Sequence, residues 1–478
     1  MGVGVSNWRL AQAVSKLGQL GVVSGTALDS VFVRRLADGD QGGHVRRGLD
    51  AFPFQEMAKR IWQGYFVPGG KAAGAPYKAL PMHQKRDARK LVELCMVSNF
   101  VEVILAREGH ENPVGINFLE KVQIPHLPSI YGAMLAGVGY VLMGAGIPLH
   151  IPGVLDAFAA HQPAEYRLAV AGAAASMDTL MRFDPAEYAE GPLPVLDRPR
   201  FLAIVSSNTL AATMLRRADG RVDGFVVESP AAGGHNAPPR GKLQLNAAGE
   251  PVYGERDRVN IEDMRALGVP FWLAGGYGNP AKLREALDQG AAGVQVGTAF
   301  AFSRESGMRA DLKTQLIRQA IAGAGEVFTD PLASPTGFPF KVAQLEGTTS
   351  EPDVYAARIR TCDLGYLREP YAMGDGEIGY RCSAEPVETY VAKGGKIEET
   401  VGRKCLCNTL MANIGHAQTR RDGADEPALI TVGDDLNTIA QFIAPGRESY
   451  SAQDVVERLL GLSGAVPREA ESLLEATA

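Results

Sequence analysis

Two titratable side chains flank a glycine pair in Glu228-Ser-Pro-Ala-Ala-Gly-Gly-His235-Asn236, directly after the apolar run Gly-Phe-Val-Val of residues 224–227. A histidine titrates near neutral pH and suits general acid–base work. Gly233 and Gly234 let the backbone pass close to a ligand and turn His235 into the mouth of whatever cavity follows the strand. The plainer alternative is a loop histidine bonded to backbone. Glu228 could orient His235, hold a cofactor hydroxyl, or be structural.

A second chemical signal lies at residues 271–298. The apolar run Phe271–Ala274 ends in Gly275-Gly276, and a later one, residues 293–296, ends in Gly297-Thr298. Two strands that both end in small, backbone-exposing residues describe a phosphate grip made of main-chain N–H groups. Asn279 can cap the intervening helix, Pro280 suits its first turn, and Gly290 can end it. These loops imply a phosphorylated ligand; an ordinary strand–helix–strand unit with glycine turns is the alternative.

These loops need elements to position them. Short apolar segments recur at Leu20–Ser24, Val114–Asn117, Tyr140–Gly144, Phe201–Ser206 and Gly224–Glu228, and the two grip strands make seven. They alternate with helical stretches such as Trp8–Leu17, which implies parallel βαβ connections. A TIM (β/α)8 barrel, an α/β fold, requires eight strands and places its chemistry at their C-terminal ends. The chain opens Met1-Gly2-Val3-Gly4-Val5-Ser6, a glycine loop with no strand before it. The expectation is a first strand missing or truncated, with an upstream in-frame segment supplying it; a barrel left open or closed by another segment is the alternative. Asn117 at one strand end can bond a ring edge, or merely form a turn. Gly144-Ala145-Gly146 admits a planar ring, and Ser206-Ser207 is a weaker polar contact.

The barrel is expected over residues 1–328, with helical insertions at 26–100 and 147–200 that either cover the mouth, form a subunit contact, or pack on the outer helices. A C-terminal accessory region spans 329–478 and ends in an amphipathic helix over Ala452–Leu462. The 478 residues carry 48 Lys and Arg against 54 Asp and Glu, a net charge of −6 without a basic block, so no nucleic-acid partner is expected. No apolar run reaches membrane-spanning length, and five cysteines suit a reduced, cytoplasmic setting. Four of them, Cys362, Cys382, Cys405 and Cys407, lie in one stretch. Thiolates suit zinc or an iron–sulfur cluster, but C-x19-C-x22-C-x-C fits no standard ligand spacing, and buried small hydrophobes are the equal alternative.

In chain order, the glycine-rich N-terminal loop, VGINF (114–118), ESPAAGGHN (228–236), LAGGYGNPAKLREAL (273–287) and GAAGVQVGTAF (290–300) resemble the nitronate monooxygenase (nitropropane dioxygenase) family. That family includes the related FMN-dependent enoyl-acyl carrier protein reductases. The resemblance covers about residues 1–325 outside the insertions. It implies FMN, its phosphate on the amides of Gly275, Gly276, Gly297 and Thr298, with Gly2, Val3, Gly4, Asn117, Gly144, Glu228, Gly233 and Gly234 around the rest. It implies His235 as catalytic base beside the ring. The activity implied is oxidation of alkyl nitronates with O2 to a carbonyl and nitrite.

The chain departs from the compact nitronate enzymes in its insertions, in Asn236-Ala-Pro-Pro-Arg240, and in the tail Thr329-Asp-Pro331…Ser334-Pro-Thr-Gly-Phe-Pro-Phe-Lys341. The tail looks like the larger reductase-type proteins of polyketide and polyunsaturated fatty acid assembly. There NAD(P)H is the electron donor, an enoyl thioester on an acyl carrier protein the substrate, and His235 assists protonation. A noncatalytic barrel binding a phosphorylated ligand is the reading from another class.

Overall fold

The computed structural model describes residues 2–374 and 376–462. Seven strands form one wholly parallel sheet in the order Gly21–Ser24, Val114–Leu119, Tyr140–Gly144, Arg200–Val205, Gly224–Glu228, Phe271–Ala274, Gly293–Gln295. With helices between the strands, this is the α/β architecture of a TIM barrel. Each neighbouring pair is also consecutive within the sheet, as right-handed β-helix-β crossovers produce.

Among the described residues no strand precedes Gly21. The turn-rich segment Gly2–Ser6 lies there instead. The Ser6 carbonyl accepts from the Ser24 N–H at 2.8 Å and its hydroxyl donates to the Val22 carbonyl at 2.6 Å. On its other side the Val5 carbonyl accepts from the Gly307 N–H at 2.8 Å, beyond the last strand. The segment thus links the first edge strand, by two hydrogen bonds from Ser6, to the loop that follows the last strand and its short helix, without a ladder. The helix Trp8–Lys16 follows at once, capped by Asn7, whose side chain accepts from the Leu10 N–H at 3.0 Å.

Strand alternation sorts the side chains. Leu142, Leu202, Val226 and Ala274, with Val22, Ile204 and Trp272 against them, point inward and form one apolar cluster. Their strand neighbours Val141, Phe201, Phe225 and Phe271 point outward into the cluster shared with the helices. With a period of two, the same parity carries Asn117, Gly144, Ile204 and Glu228 to the inner side at the C-terminal ends. The strand sequence alone therefore aims those residues into the mouth.

The insertions lie outside the sheet. Helices Leu28–Ala37, His44–Asp50, Gln55–Tyr65 and Arg89–Ala106 fill the first. Its aromatics Phe52 and Phe54 are buried, with Phe52 edge-on to Phe100 of helix Arg89–Ala106 at 5.0 Å between centroids, so the insertion's helices pack on one another. The second contains helix Ile151–Ala159 and an antiparallel pair, Ala164–Arg167 with Leu180–Phe183.

The region after residue 329 is interleaved with the barrel. Phe340–Ala343 pairs antiparallel with Val327–Asp330. Helix Leu406–Asn413 supplies Leu406, Leu410 and Met411 to a core cluster that also holds Val3, Ala27 and Val31. A second cluster joins Ala299, Leu312 and Leu316 to Leu436, Ile439, Tyr450 and Val455. The last described helix, Ala452–Leu460, is capped by Ser451 and ended by Gly461 in the left-handed region at φ 71°. No helix among the described residues is long and apolar enough to cross a membrane.

Candidate active site

The mouth of the barrel holds a cavity of about 890 Å³ of non-atom space, open to solvent. Gly2, Val3, Asn117, Gly144, Glu228, Gly233, Gly234 and His235 all border it, so eight of the expected site residues meet at one place. Gly4 does not. Its backbone is left-handed at φ 61°, and a Cβ there would lie 2.5 Å from Ile414 Cδ1, so Gly4 packs against the C-terminal region.

Asn117 is buried, its carbonyl accepts from the Gly25 N–H at 2.7 Å, and its side-chain amide has no protein partner among the described residues. That amide is available to a ring edge, as expected. Gly234 sits at φ 86° with nothing within 4 Å of a Cβ position, which leaves its face open to the cavity. Gly233 has a different reason from the one expected. A Cβ there would come within 2.6 Å of the Val432 carbonyl carbon, so the close approach it permits is to backbone of the C-terminal region rather than to a ligand.

His235 is held on three sides by residues from the far end of the chain. Nε2 lies 2.7 Å from Ser334 Oγ, which is itself 2.8 Å from Thr336 Oγ1. The ring packs edge-on against Phe340 at 4.8 Å between centroids and Phe338 at 6.4 Å. The Asn236 N–H donates to the Pro339 carbonyl and the Lys341 N–H to the Gly234 carbonyl, zipping the loop to the Phe340 strand. Burial pushes the imidazole down to about 3. The expectation of a histidine titrating near neutrality therefore gives way to a neutral ring throughout the physiological range, because its apolar surroundings penalise the cation.

Glu228 moves oppositely. Burial raises its carboxyl to about 7, so this is the group in the cavity that changes charge near neutral pH. Neither oxygen has a side-chain partner among the described residues, and no hydrogen bond joins it to His235.

The expected phosphate grip lies beside the cavity. Gly275 and Gly276 are both left-handed, at φ 89° and 78°, and Gly297 caps helix Thr298–Ala301. The backbone N–H groups of Gly275, Gly276, Gly297 and Thr298 donate to no protein acceptor among the described residues. Four unclaimed amides on two adjacent loops fit an anionic phosphate. The Thr298 hydroxyl is already engaged: it donates to Asp435 Oδ1 at 2.6 Å and accepts from the Gly433 N–H at 3.1 Å. Burial raises the Asp435 carboxyl.

Ser207 is occupied as the cap of helix Asn208–Arg217, its Oγ accepting from the Leu210 N–H at 3.1 Å. Ser206 borders a smaller neighbouring cavity on the other side of Glu228.

The four tail cysteines border one small apolar cavity, and Cys362, Cys382 and Cys405 share a cluster with Ala384. No three of their sulfurs lie within the reach of one ion. The only group among the described residues that meets that condition is Asp29, His83 and Cys95.

Sequence reasoning missed the C-terminal wall of the site: Phe340, Tyr366, Leu367, Leu406, Leu410 and Thr431. Thr431 Oγ1 accepts from the Gly234 N–H at 2.8 Å, across 197 residues. Only the Ser334–Lys341 motif gave a signal, and it did not reveal its contact with His235.

Residues 189–330 match the family model described as nitronate monooxygenase. No curated protein matches the chain. Among solved structures, FabK from Thermotoga maritima is 16% identical at a TM-score of 0.45, with 96% of this chain and 88% of that one covered. Nitroalkane oxidase from Streptomyces ansochromogenes is 16% identical at 0.42, with 96% and 93% covered. The enoyl reductase domain of MlnA from the macrolactin biosynthesis cluster of Bacillus amyloliquefaciens is 12% identical at 0.46, with 96% and 92% covered.

Proposed function

We propose that this chain, whose residues 189–330 match the nitronate monooxygenase family model, is an FMN-dependent oxidoreductase that oxidises alkyl nitronates with O2 to a carbonyl and nitrite. The observation that carries the reading is the set of four unclaimed amides at Gly275, Gly276, Gly297 and Thr298, next to a glycine-lined cavity holding Asn117, Glu228 and His235. Bound there, FMN would supply a ring that accepts and returns electrons.

The chain's own residues do the rest. The four amides would hold the FMN phosphate with fixed dipoles. Gly144 and Gly234 leave room for a flat ring, and the free Asn117 amide would be available to its edge. His235, neutral and fixed through Ser334, offers a base to the α-proton of a neutral nitroalkane. A base held down to about 3 takes that proton reluctantly. Nitronates, which have already lost it, are the favoured substrates. Glu228, near 7, can give or take a proton as the product carbonyl forms.

A specific observation favours a second reading, reduction of an enoyl thioester by NAD(P)H. The outer wall of the cavity is apolar, with Phe118, Leu119, Phe340, Leu406 and Leu410, and suits an acyl chain better than a small nitronate. An acyl carrier protein would deliver such a substrate, and Glu228 is the better placed proton donor. A noncatalytic barrel has no use for two perturbed titratable groups in one cavity.

The visible spectrum of purified protein comes first; a colourless protein that takes up no FMN rejects both enzyme readings. Anaerobic addition of a nitronate or of NAD(P)H then separates them by which one bleaches the flavin. Nitrite release under air supports the first, and bleaching by NAD(P)H alone the second.

A further inference from the structure

Outside the barrel mouth, three side chains with three different donor atoms converge in the interior. Asp29 stands in the first turn of helix Leu28–Ala37, His83 in the loop before helix Arg89–Ala106, and Cys95 within that helix. All three are buried, and their donor atoms lie within 4.8 Å of one another. His83 Nε2 is 2.9 Å from Asp29 Oδ2 and 3.9 Å from Cys95 Sγ. We infer that Asp29, His83 and Cys95 bind a zinc ion, in a site separate from the cavity at the barrel mouth.

The groups behind the donors argue for this. His83 turns its other nitrogen, Nδ1, to Asp87 Oδ2 at 2.6 Å, which is the carboxylate–imidazole arrangement that fixes a histidine with Nε2 toward a metal. The second oxygen of Asp29 accepts from the Tyr366 hydroxyl at 2.5 Å, and that hydroxyl is 2.6 Å from Ser30 Oγ. The imidazole and the carboxylate are thus each oriented by a partner outside the trio, and one donor atom on each of the three residues lies within 4.8 Å of the other two. Sulfur, imidazole and carboxylate together suit Zn2+ and not a hard cation such as Mg2+ or Ca2+. A cavity of about 370 Å³ of non-atom space borders His83 and Tyr366.

The exchange balances. Zn2+ displaces the proton between His83 Nε2 and Asp29 and the thiol proton of Cys95, so two protons leave as two positive charges arrive. The buried charge is unchanged, and the metal-free network is itself hydrogen-bonded. The site joins the first insertion to Tyr366 of the C-terminal region.

The test uses the full chain, stripped with chelator and reloaded with zinc or cobalt(II). One zinc per chain is expected, and a sulfur-to-cobalt charge-transfer band in the near ultraviolet. Cys95→Ser should remove the band while Cys405→Ser keeps it. Asp87→Asn, which replaces no ligand but loosens the carboxylate behind His83, should weaken zinc about 10–100-fold. Asp29→Asn, read by metal stoichiometry with circular dichroism as the folding control, serves if Cys95→Ser does not fold. A reloaded wild type holding no zinc overturns the inference, as does a cobalt band that survives Cys95→Ser or vanishes in Cys405→Ser.

Discussion

Replacing Glu228 by glutamine keeps the shape of the side chain and removes its titration, which makes the energetic cost of this buried carboxyl measurable. In the folded chain burial holds the group at about 7, against the ordinary 4.5 of a glutamate side chain. The sign follows from linkage: below about 4.5 the carboxyl is protonated in both states and costs nothing. Between 4.5 and 7 the unfolded chain ionises while the folded one does not, so wild-type stability falls as pH rises. Above 7 both are ionised, and the folded chain carries the whole penalty. At about 1.4 kcal/mol per pH unit, the displacement amounts to about 3 kcal/mol. Urea unfolding of flavin-free wild type and Glu228→Gln at pH 5 and at pH 8 gives the comparison. The advantage of the variant should grow by about 3 kcal/mol between an acidic limit below 4.5 and pH 8, with most of that rise already visible from pH 5. Parallel stabilities across that range would refute the assignment of a buried, proton-retaining Glu228.

The remaining expectations concern the site and its supports. His235→Ala should retain FMN while turnover of a neutral nitroalkane falls by about 10²–10⁴ and oxidation of a preformed nitronate, which needs no base, is largely kept, checked by flavin content and both substrates in parallel. Because His235 is held at about 3 and Glu228 at about 7, an inflection of kcat/KM near pH 7 should disappear in Glu228→Gln and persist in a His235→Asn variant of measurable activity. Gly275→Ala forces a Cβ into a left-handed residue, 2.3 Å from Ser229 Oγ and 2.9 Å from the Ala232 nitrogen. FMN binding should weaken strongly while riboflavin, lacking the phosphate, is bound as before; titration of both ligands checks this. Glu426 pairs with Arg358 where both side chains are almost wholly buried, and also with Arg420. Glu426→Ala should therefore cost about 3–5 kcal/mol, since it strands a buried guanidinium, read as a lowered thermal midpoint.

Much of the barrel was legible because its strands follow a local rule. Tyr140–Gly144, Gly224–Glu228 and Phe271–Ala274 have in the structure the limits their apolar runs suggest. The inward parity that brings Asn117, Gly144 and Glu228 together follows from the same period of two. The grip residues were legible because backbone exposure at a strand end requires small side chains. What escaped is what depends on distant pairs. Ser334 lies 99 residues from His235 and Asp435 lies 137 from Thr298, and nothing in a local pattern reports such contacts. The altered basicity of His235 and Glu228 escaped with them, since it arises from burial under Phe340 and its neighbours. His83 gave no signal either, because Asp29 and Cys95 stand in separate helices and their convergence is a tertiary fact.

The segment from Thr431 to Asp435 touches both halves of the site, the His235 loop through Gly234 and the grip through Thr298. During synthesis every barrel strand emerges more than a hundred residues before this segment does. A nascent chain can pair its strands early, yet the cavity lacks its wall and the grip its brace until residue 435 has left the ribosome. Contacts of such long sequence separation form late and slowly. With the FMN of the proposed function, tight capture therefore belongs to the end of folding, and a translating chain paused short of that point would hold a preassembled barrel without a finished ligand site.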